Sequence, residues 1–140
     1  MTGMFHKSIA IRDIEETVAF YRDLLGCTVG RITAHWVDFN FFGHQLTAQV
    51  SPQNIIPMDT EWRGNRFFPI RHFGVVLTKT DWEILKNRLE NSEFSWLIEP
   101  SVFYEGEHHE QESFFVKDPN GYAIEFKTFG EEFDRVFSRN

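Results

Sequence analysis

Apolar and polar positions alternate through residues 5–11: Phe5, Lys7, Ile9 and Ile11 take one side, His6, Ser8 and Ala10 the other. A period of two predicts a strand. Asp13 follows with Glu16 three residues on, the form of a capping box. Ile14, Val18, Tyr21 and Leu25 then recur at helical spacing, and Gly26 stands where a helix C-cap glycine belongs, so a helix is predicted here. Residues 27–33 and 35–42 read as strands. Gly43-His44 marks a turn before the alternating run Gln45–Ser51, in which Leu46, Ala48 and Val50 share one face and Thr47 and Gln49 the other. The first half, about residues 4–51, therefore predicts β-α-β-β-β. Residues 52–71 carry Pro52, Pro57, Gly64 and Pro69 and read as a connecting loop.

The pattern then restarts. Residues 72–78 predict a strand that His72 opens as His6 opened the first. Thr80 and Glu83 form a second capping box, and Ile84, Leu85 and Leu89 give the following helix its apolar face. Residues 96–104 are extended, with a bend or edge position at Pro100. A polar loop, Glu105–Glu112, precedes strand 113–117. Asp118-Pro-Asn-Gly121 is a strong turn signal, and strand 122–127 closes the half. Aligning His6 with His72 lays strand on strand and helix on helix. Two such units cannot bury their sheet faces alone, so they are expected to pair into one curved, roughly eight-stranded cup. The expectation is a single α+β domain of paired βαβββ modules, an open barrel-like cup, with the second module at about 72–128. Phe129, Phe133 and Phe137 recur every fourth residue, predicting a terminal helix over about 129–138.

Composition changes the picture chiefly by exclusion. A chain of 140 residues with 41% hydrophobic and 25% charged residues can bury a sizeable core without disulfides or a structural metal. The outlier is 16% aromatic content, driven by sixteen Phe. A net charge of −7 disfavours nucleic acid and anionic membranes as partners, since both call for a basic face. Cys27 is the single cysteine and has no intrachain disulfide partner. No apolar run approaches the ~18 residues of a membrane span, and residues 1–10 carry no basic segment leading into an apolar one. A cytoplasmic protein is expected.

The repeat gives the histidines their interest. His6 and His72 hold equivalent positions in equivalent units. Glu125 sits between Ile124 and Phe126 in a short strand, where a carboxylate is costly to bury unless paired or coordinated. Two imidazoles and one carboxylate are the facial set that suits non-haem Fe(II), the first expectation here, with Mn(II), Ni(II) or Zn(II) also accommodated. Gln49, on the polar face of the strand equivalent to that of Glu125, offers a weak neutral fourth ligand or leaves a position open. His108 and His109 lie in a polar loop. They are solvated there, unless the loop acts as a lid and carries one over the site as an acid/base or hydrogen-bond donor.

With these residues in view, the chain resembles the vicinal oxygen chelate superfamily over about residues 4–128. That superfamily includes glyoxalase I, extradiol dioxygenases, and bleomycin and fosfomycin resistance proteins. The resemblance implies metal ligands at His6, His72 and Glu125, with Gln49 at a position that is Glu in many glyoxalase-like members. Gly106-Glu107-His108, Phe114-Phe115, Asp118-Pro119-Asn120-Gly121 and Glu125 are similar in order and spacing to the extradiol ring-cleavage signature. Phe115 stands where that signature has a tyrosine whose hydroxyl bonds the bound catecholate. The resemblance implies a dioxygenase-like enzyme acting on a small aromatic or vicinal-dioxygen substrate. A glyoxalase-like isomerase or lyase comes next, and a metal-free small-molecule binding protein is the rival from another class. A homodimer is compatible with the family, and the phenylalanine stripe suits one.

Overall fold

The alternation at the start of the chain produces β1 (His6–Ile11), which buries Ile9 and Ile11 and leaves His6 exposed. The computed structural model describes residues 1–56, 58–59 and 61–139. These form two compact units: one of residues 1–57 with the turn 118–121, the other of residues 58–117 with 122–140. Among the described residues, no helix is long and apolar enough to cross a membrane.

In the first unit the Asp13 carboxylate accepts the Glu16 N–H at 2.9 Å, capping α1 (Ile14–Val18) as its sequence predicts. The helix continues in π-helical form through Ala19–Leu24 and stops at Gly26, whose φ of 84° only glycine adopts cheaply. Strands β2 (Thr28–Ile32), β3 (Trp36–Phe41) and β4 (His44–Val50) follow as a meander. Phe42 and Gly43 both take positive φ, and the Asn40 side chain accepts the Gly43 N–H at 2.7 Å, giving a tight β3–β4 hairpin. The sheet order is β1-β4-β3-β2, with β1 and β4 parallel. Tyr21, fully buried, lies 5.2 Å from the Phe39 ring and joins the helix to the sheet.

The Asp118–Gly121 turn belongs to this first unit, far from it in sequence. Polar bonds hold it. Tyr21 Oη donates to Asp118 Oδ2 at 2.9 Å, and the Arg12 N–H donates to Asn120 Oδ1 at 2.9 Å. Asp118 and Asn120 are buried, so their polar atoms need these partners.

The second unit repeats the design. After a hairpin of β5 (Glu61–Arg63) and β6 (Arg66–Phe68) come β7 (Phe73–Val76), α2 (Lys79–Glu90), β8 (Ile98–Phe103), β9 (Gln111–Lys117) and β10 (Ala123–Thr128). The order is β7-β10-β9-β8, with β7 and β10 parallel. Trp82 of α2 packs 5.4 Å from the Phe114 ring and donates its indole N–H to the Phe126 carbonyl at 2.9 Å. The helix thereby covers the face that carries Phe114, Val116, Ile124 and Phe126. Alternation turns Ser113, Phe115, Glu125 and Lys127 to the other face. The bend expected at Pro100 appears as a register shift between Ile98 and Ser101.

Three expectations are corrected. The 52–71 segment is more than a connecting loop: it holds a short 3-10 turn at Pro52–Asn54 and the β5–β6 hairpin, with Gly64 turning at φ 66° and the Trp62 and Phe67 rings 6.1 Å apart. Pro57 and Thr60 lie outside the described residues. Helix α2 starts earlier than the Thr80–Glu83 box: Thr78 is the cap and accepts the Asp81 N–H at 3.2 Å, because it precedes an equally good capping sequence. Residues 129–139 run as bends and three-residue turns instead of a helix. Gly130, at φ 121°, breaks the helical path just after Phe129, and the bonds Val136 N–H to Phe133 O and Ser138 N–H to Arg135 O span three residues only. Phe129 is buried whereas Phe133 and Phe137 are exposed, so the stripe does not form one packed face.

The β7–β10 ladder pairs Gly74 with Glu125, and a Cβ on Gly74 would be driven into the Glu125 backbone carbonyl. Gly74→Ala is expected to cost about 2–3 kcal/mol, read by urea denaturation. Gly30→Ala, where a Cβ meets Asp38 at ordinary contact distance, is the control and should stay within about 1 kcal/mol of the parent. Equal effects would mean that the strands do not approach this closely.

Candidate functional site

Chain direction into the site is set before β7 begins. Asp59 accepts the backbone N–H groups of Ile70 and Arg71 at 2.9 and 2.7 Å, fixing the segment that leads to His72. Those bonds, that from Arg71 first, hold the Asp59 carboxyl below its ordinary value. His72 Nδ1 lies 2.8 Å from the Pro69 carbonyl. A carbonyl only accepts, so Nδ1 carries the proton and Nε2 is the nitrogen that faces outward. It faces Glu125: Nε2 is 3.2 Å from Oε1. The second carboxylate oxygen, Oε2, accepts the Ser113 hydroxyl at 2.6 Å. Both partners are thus oriented from behind, the imidazole by Pro69 and the carboxylate by Ser113.

Aromatic edges wall the pair. Phe115, fully buried and opposite Glu125 in the ladder, lies 5.2 Å from the His72 ring. Phe68 of β6 meets the same imidazole edge-on at 5.8 Å. His72, Gly74, Val76, Glu125 and Lys127 line a recess of 220 Å³. The Glu125 bond, the strongest influence, raises the His72 pKa above its ordinary value against the opposing effect of burial. For Glu125, burial is the largest single influence and pushes the carboxyl up. The bonds from His72 and Ser113 and the charge of Lys127 together outweigh it, so the group ends below its ordinary value.

An imidazole whose Nδ1–H is tied to a carbonyl, beside a carboxylate whose far oxygen is tied to a hydroxyl, matches the outer-shell arrangement of divalent-metal ligands. His72 and Glu125 fit that role. Among the described residues, no group of three or more His, Cys, Asp and Glu is assembled to hold a metal ion. His6 and Gln49 stand in the first unit. His6 opens β1 and is exposed. Gln49 donates through Nε2 to the Ser8 hydroxyl at 2.8 Å. His108 is exposed, its backbone carbonyl accepting from Arg135 at 3.2 Å. His109 stays with its own loop, 3.2 Å from Glu107 Oε2 and 4.5 Å, ring to ring, from Tyr104.

The two ladders revise one equivalence. Glu125 pairs with the residue two past His72, and in the first unit the residue two past His6 is Ser8, whose partner is Thr47. Thr47, and not Gln49, occupies the register position of Glu125; Gln49 sits opposite Ala10. Thr47 donates to Asp38 Oδ1 at 2.6 Å, and Asp38 lies 3.8 Å from the Arg31 guanidinium, which stacks on Trp36 at 5.2 Å. Together with Gln45 and Gln49 these residues line a recess of 230 Å³ in the first unit. Sequence reasoning passed over Asp38, although it sits between Val37 and Phe39 as Glu125 sits between Ile124 and Phe126.

The metal-free pair carries a pH signature. His72, with a raised pKa, stabilises the fold fully below about pH 6.5 and loses that contribution as pH rises through its folded value. Glu125, with a lowered pKa, contributes above about pH 4.5 and loses it as pH falls through its own. The Tm difference between the metal-free parent and Glu125→Gln should therefore be largest between these two limits and shrink on either side. A difference independent of pH would show that the pair is not ionised in the folded state.

Residues 3–126 match the family model described as the Glyoxalase/Bleomycin resistance protein/Dioxygenase superfamily. No curated protein matches the chain. Among solved structures, a glyoxalase/bleomycin resistance protein/dioxygenase from Alicyclobacillus acidocaldarius is 30% identical with a TM-score of 0.78, covering 97% of this chain and 96% of that one. Two more distant matches share the fold. The genomically encoded fosfomycin resistance protein FosX from Listeria monocytogenes has a TM-score of 0.70 at 11% identity, covering 96% of this chain and 98% of its own. A lactoylglutathione lyase from Agrobacterium tumefaciens has a TM-score of 0.64 at 18% identity, covering 99% and 98%.

Proposed function

Because the chain belongs to the glyoxalase/bleomycin resistance protein/dioxygenase superfamily, we propose that it is a divalent-metal enzyme holding a small substrate through two neighbouring oxygens, with His72 and Glu125 among the ligands. The observation that carries this reading is the oriented pair: His72 Nε2 and Glu125 Oε1 at 3.2 Å, each locked on its far side. A part-buried carboxylate and imidazole with no task would be replaced at little cost by apolar residues. A bound dication supplies Lewis acidity that stabilises an enolate or catecholate form of the substrate, and as iron(II) it also serves oxygen chemistry. The protein's own part is orientation. Pro69 keeps the Nε2 lone pair available once His72 is neutral, Ser113 keeps Oε1 turned to the same point, and Phe68 and Phe115 pack against the imidazole and hold its ring in place.

Within this class the 106–125 pattern favours an extradiol-dioxygenase-like reaction. Phe115 bears on it directly: a phenyl ring 5.2 Å from His72 cannot bond a catecholate. The isomerase or lyase reading has less support, because Thr47 at the register position of Glu125 supplies no carboxylate base.

Mn(II) and Fe(II) titrations of anaerobically purified, chelator-stripped protein test the proposal. About one metal per chain is expected, with affinity at least about 100-fold weaker in His72→Ala. Binding should weaken as pH falls through the raised His72 pKa, since His72 must be neutral to coordinate. Oxygen uptake with catechols should be low in the Fe(II) protein and rise in Phe115→Tyr. Stoichiometric metal with no gain in that variant would turn the reading away from ring cleavage, and no metal at all would leave a binding protein.

A further inference from the structure

We infer that Lys127 makes the His72–Glu125 site selective for an anionic, carboxylate-bearing substrate, an inference that rests on the metal-dependent reading above. Lys127 is two residues past Glu125 on β10, which puts both side chains on the face opposite α2. It lines the same 220 Å³ recess and is the one Lys or Arg among the residues that do. Its Nζ lies 3.9 Å from Glu125 Oε1, beyond hydrogen-bonding distance. The hydrogen bonds to Glu125 come from His72 and Ser113 instead. Lys127 is therefore held at the carboxylate by charge without being needed to satisfy it.

That arrangement changes meaning when a dication occupies the site. Glu125 would direct its charge at a dication held with His72, and Lys127, which otherwise balances that carboxylate, would become an added positive charge beside the site. One carboxylate against a dication and an ammonium leaves the site cationic, within a chain whose net charge is −7. At long range such a protein repels anions, so an anionic substrate must be drawn by local cations. The Lys127 side chain is about one-third exposed, with its ammonium between Glu125 and the Phe129 ring 5.9 Å away, so it stays accessible to an incoming carboxylate. The substrate class is a small acid that offers two vicinal oxygens to the metal and negative charge to Lys127.

Isothermal titration of oxalate into the Mn(II)-loaded protein tests this, comparing the parent with Lys127→Gln and Lys127→Arg. Lys127→Gln is expected to bind oxalate about tenfold more weakly, with a shallower dependence on salt. Lys127→Arg should keep most of the affinity. The Mn(II) affinity of Lys127→Gln should equal or exceed that of the parent, because a like charge near the metal has gone; this also reports that the variant is folded. Oxalate binding within about twofold of the parent in Lys127→Gln, with Mn(II) bound, would overturn the role of Lys127 alone. Failure of the parent to bind Mn(II) would overturn the metal reading and this inference together.

Discussion

The parallel pairing of the first and last strands of each unit is the constraint on which the site depends. A meander of three strands returns the chain to the strand it left, so β4 lies along β1 and β10 along β7. Residues far apart in sequence become neighbours across one ladder. In the second unit this brings the histidine ahead of β7 to the carboxylate of β10. The approach is close enough that only glycine fits at position 74, opposite Glu125. A side chain there would push apart the two strands that set the distance between ligand candidates.

Burial and pairing then work against each other at Glu125. Removing a carboxylate from water is costly, and the cost is met by two directed bonds and two positive charges. The same bonds fix geometry. Ser113 determines which oxygen remains available, Pro69 determines which imidazole nitrogen does, and Asp59 anchors the backbone between Ile70 and His72. A pair oriented at both ends loses little entropy when a third body binds, which is the physical content of preorganisation.

The corrections share a cause. Gln49 looked equivalent to Glu125 because both follow an alternating polar face. Alternation reports the face and leaves the register along it open, and only the ladder partner, Ala10 for Gln49 and Ser8 for Thr47, resolves it. The phenylalanine stripe at 129, 133 and 137 has helical spacing, but one glycine at φ 121° and the exposure of Phe133 and Phe137 outweigh periodicity. In the proline-rich 52–71 segment, two strands of three residues each are too short to show alternation, so the hairpin had no signal to give.

Local chemistry determined much of this protein directly. Alternation and capping residues set nearly every strand and both helices. The repeat set their order, and an acidic residue between apolar ones marked Glu125 as exceptional. Those signals act over a few residues, where backbone geometry and solvent contact decide the outcome. Tertiary structure alone decided that Pro69 and Ser113 orient the pair, that Phe68 and Phe115 wall it, that Lys127 shares its recess, and that the Asp118–Gly121 turn is bound into the first unit by Tyr21 and Arg12. Each of these depends on the distance between segments remote in sequence or on a side chain's direction, quantities that no local pattern encodes.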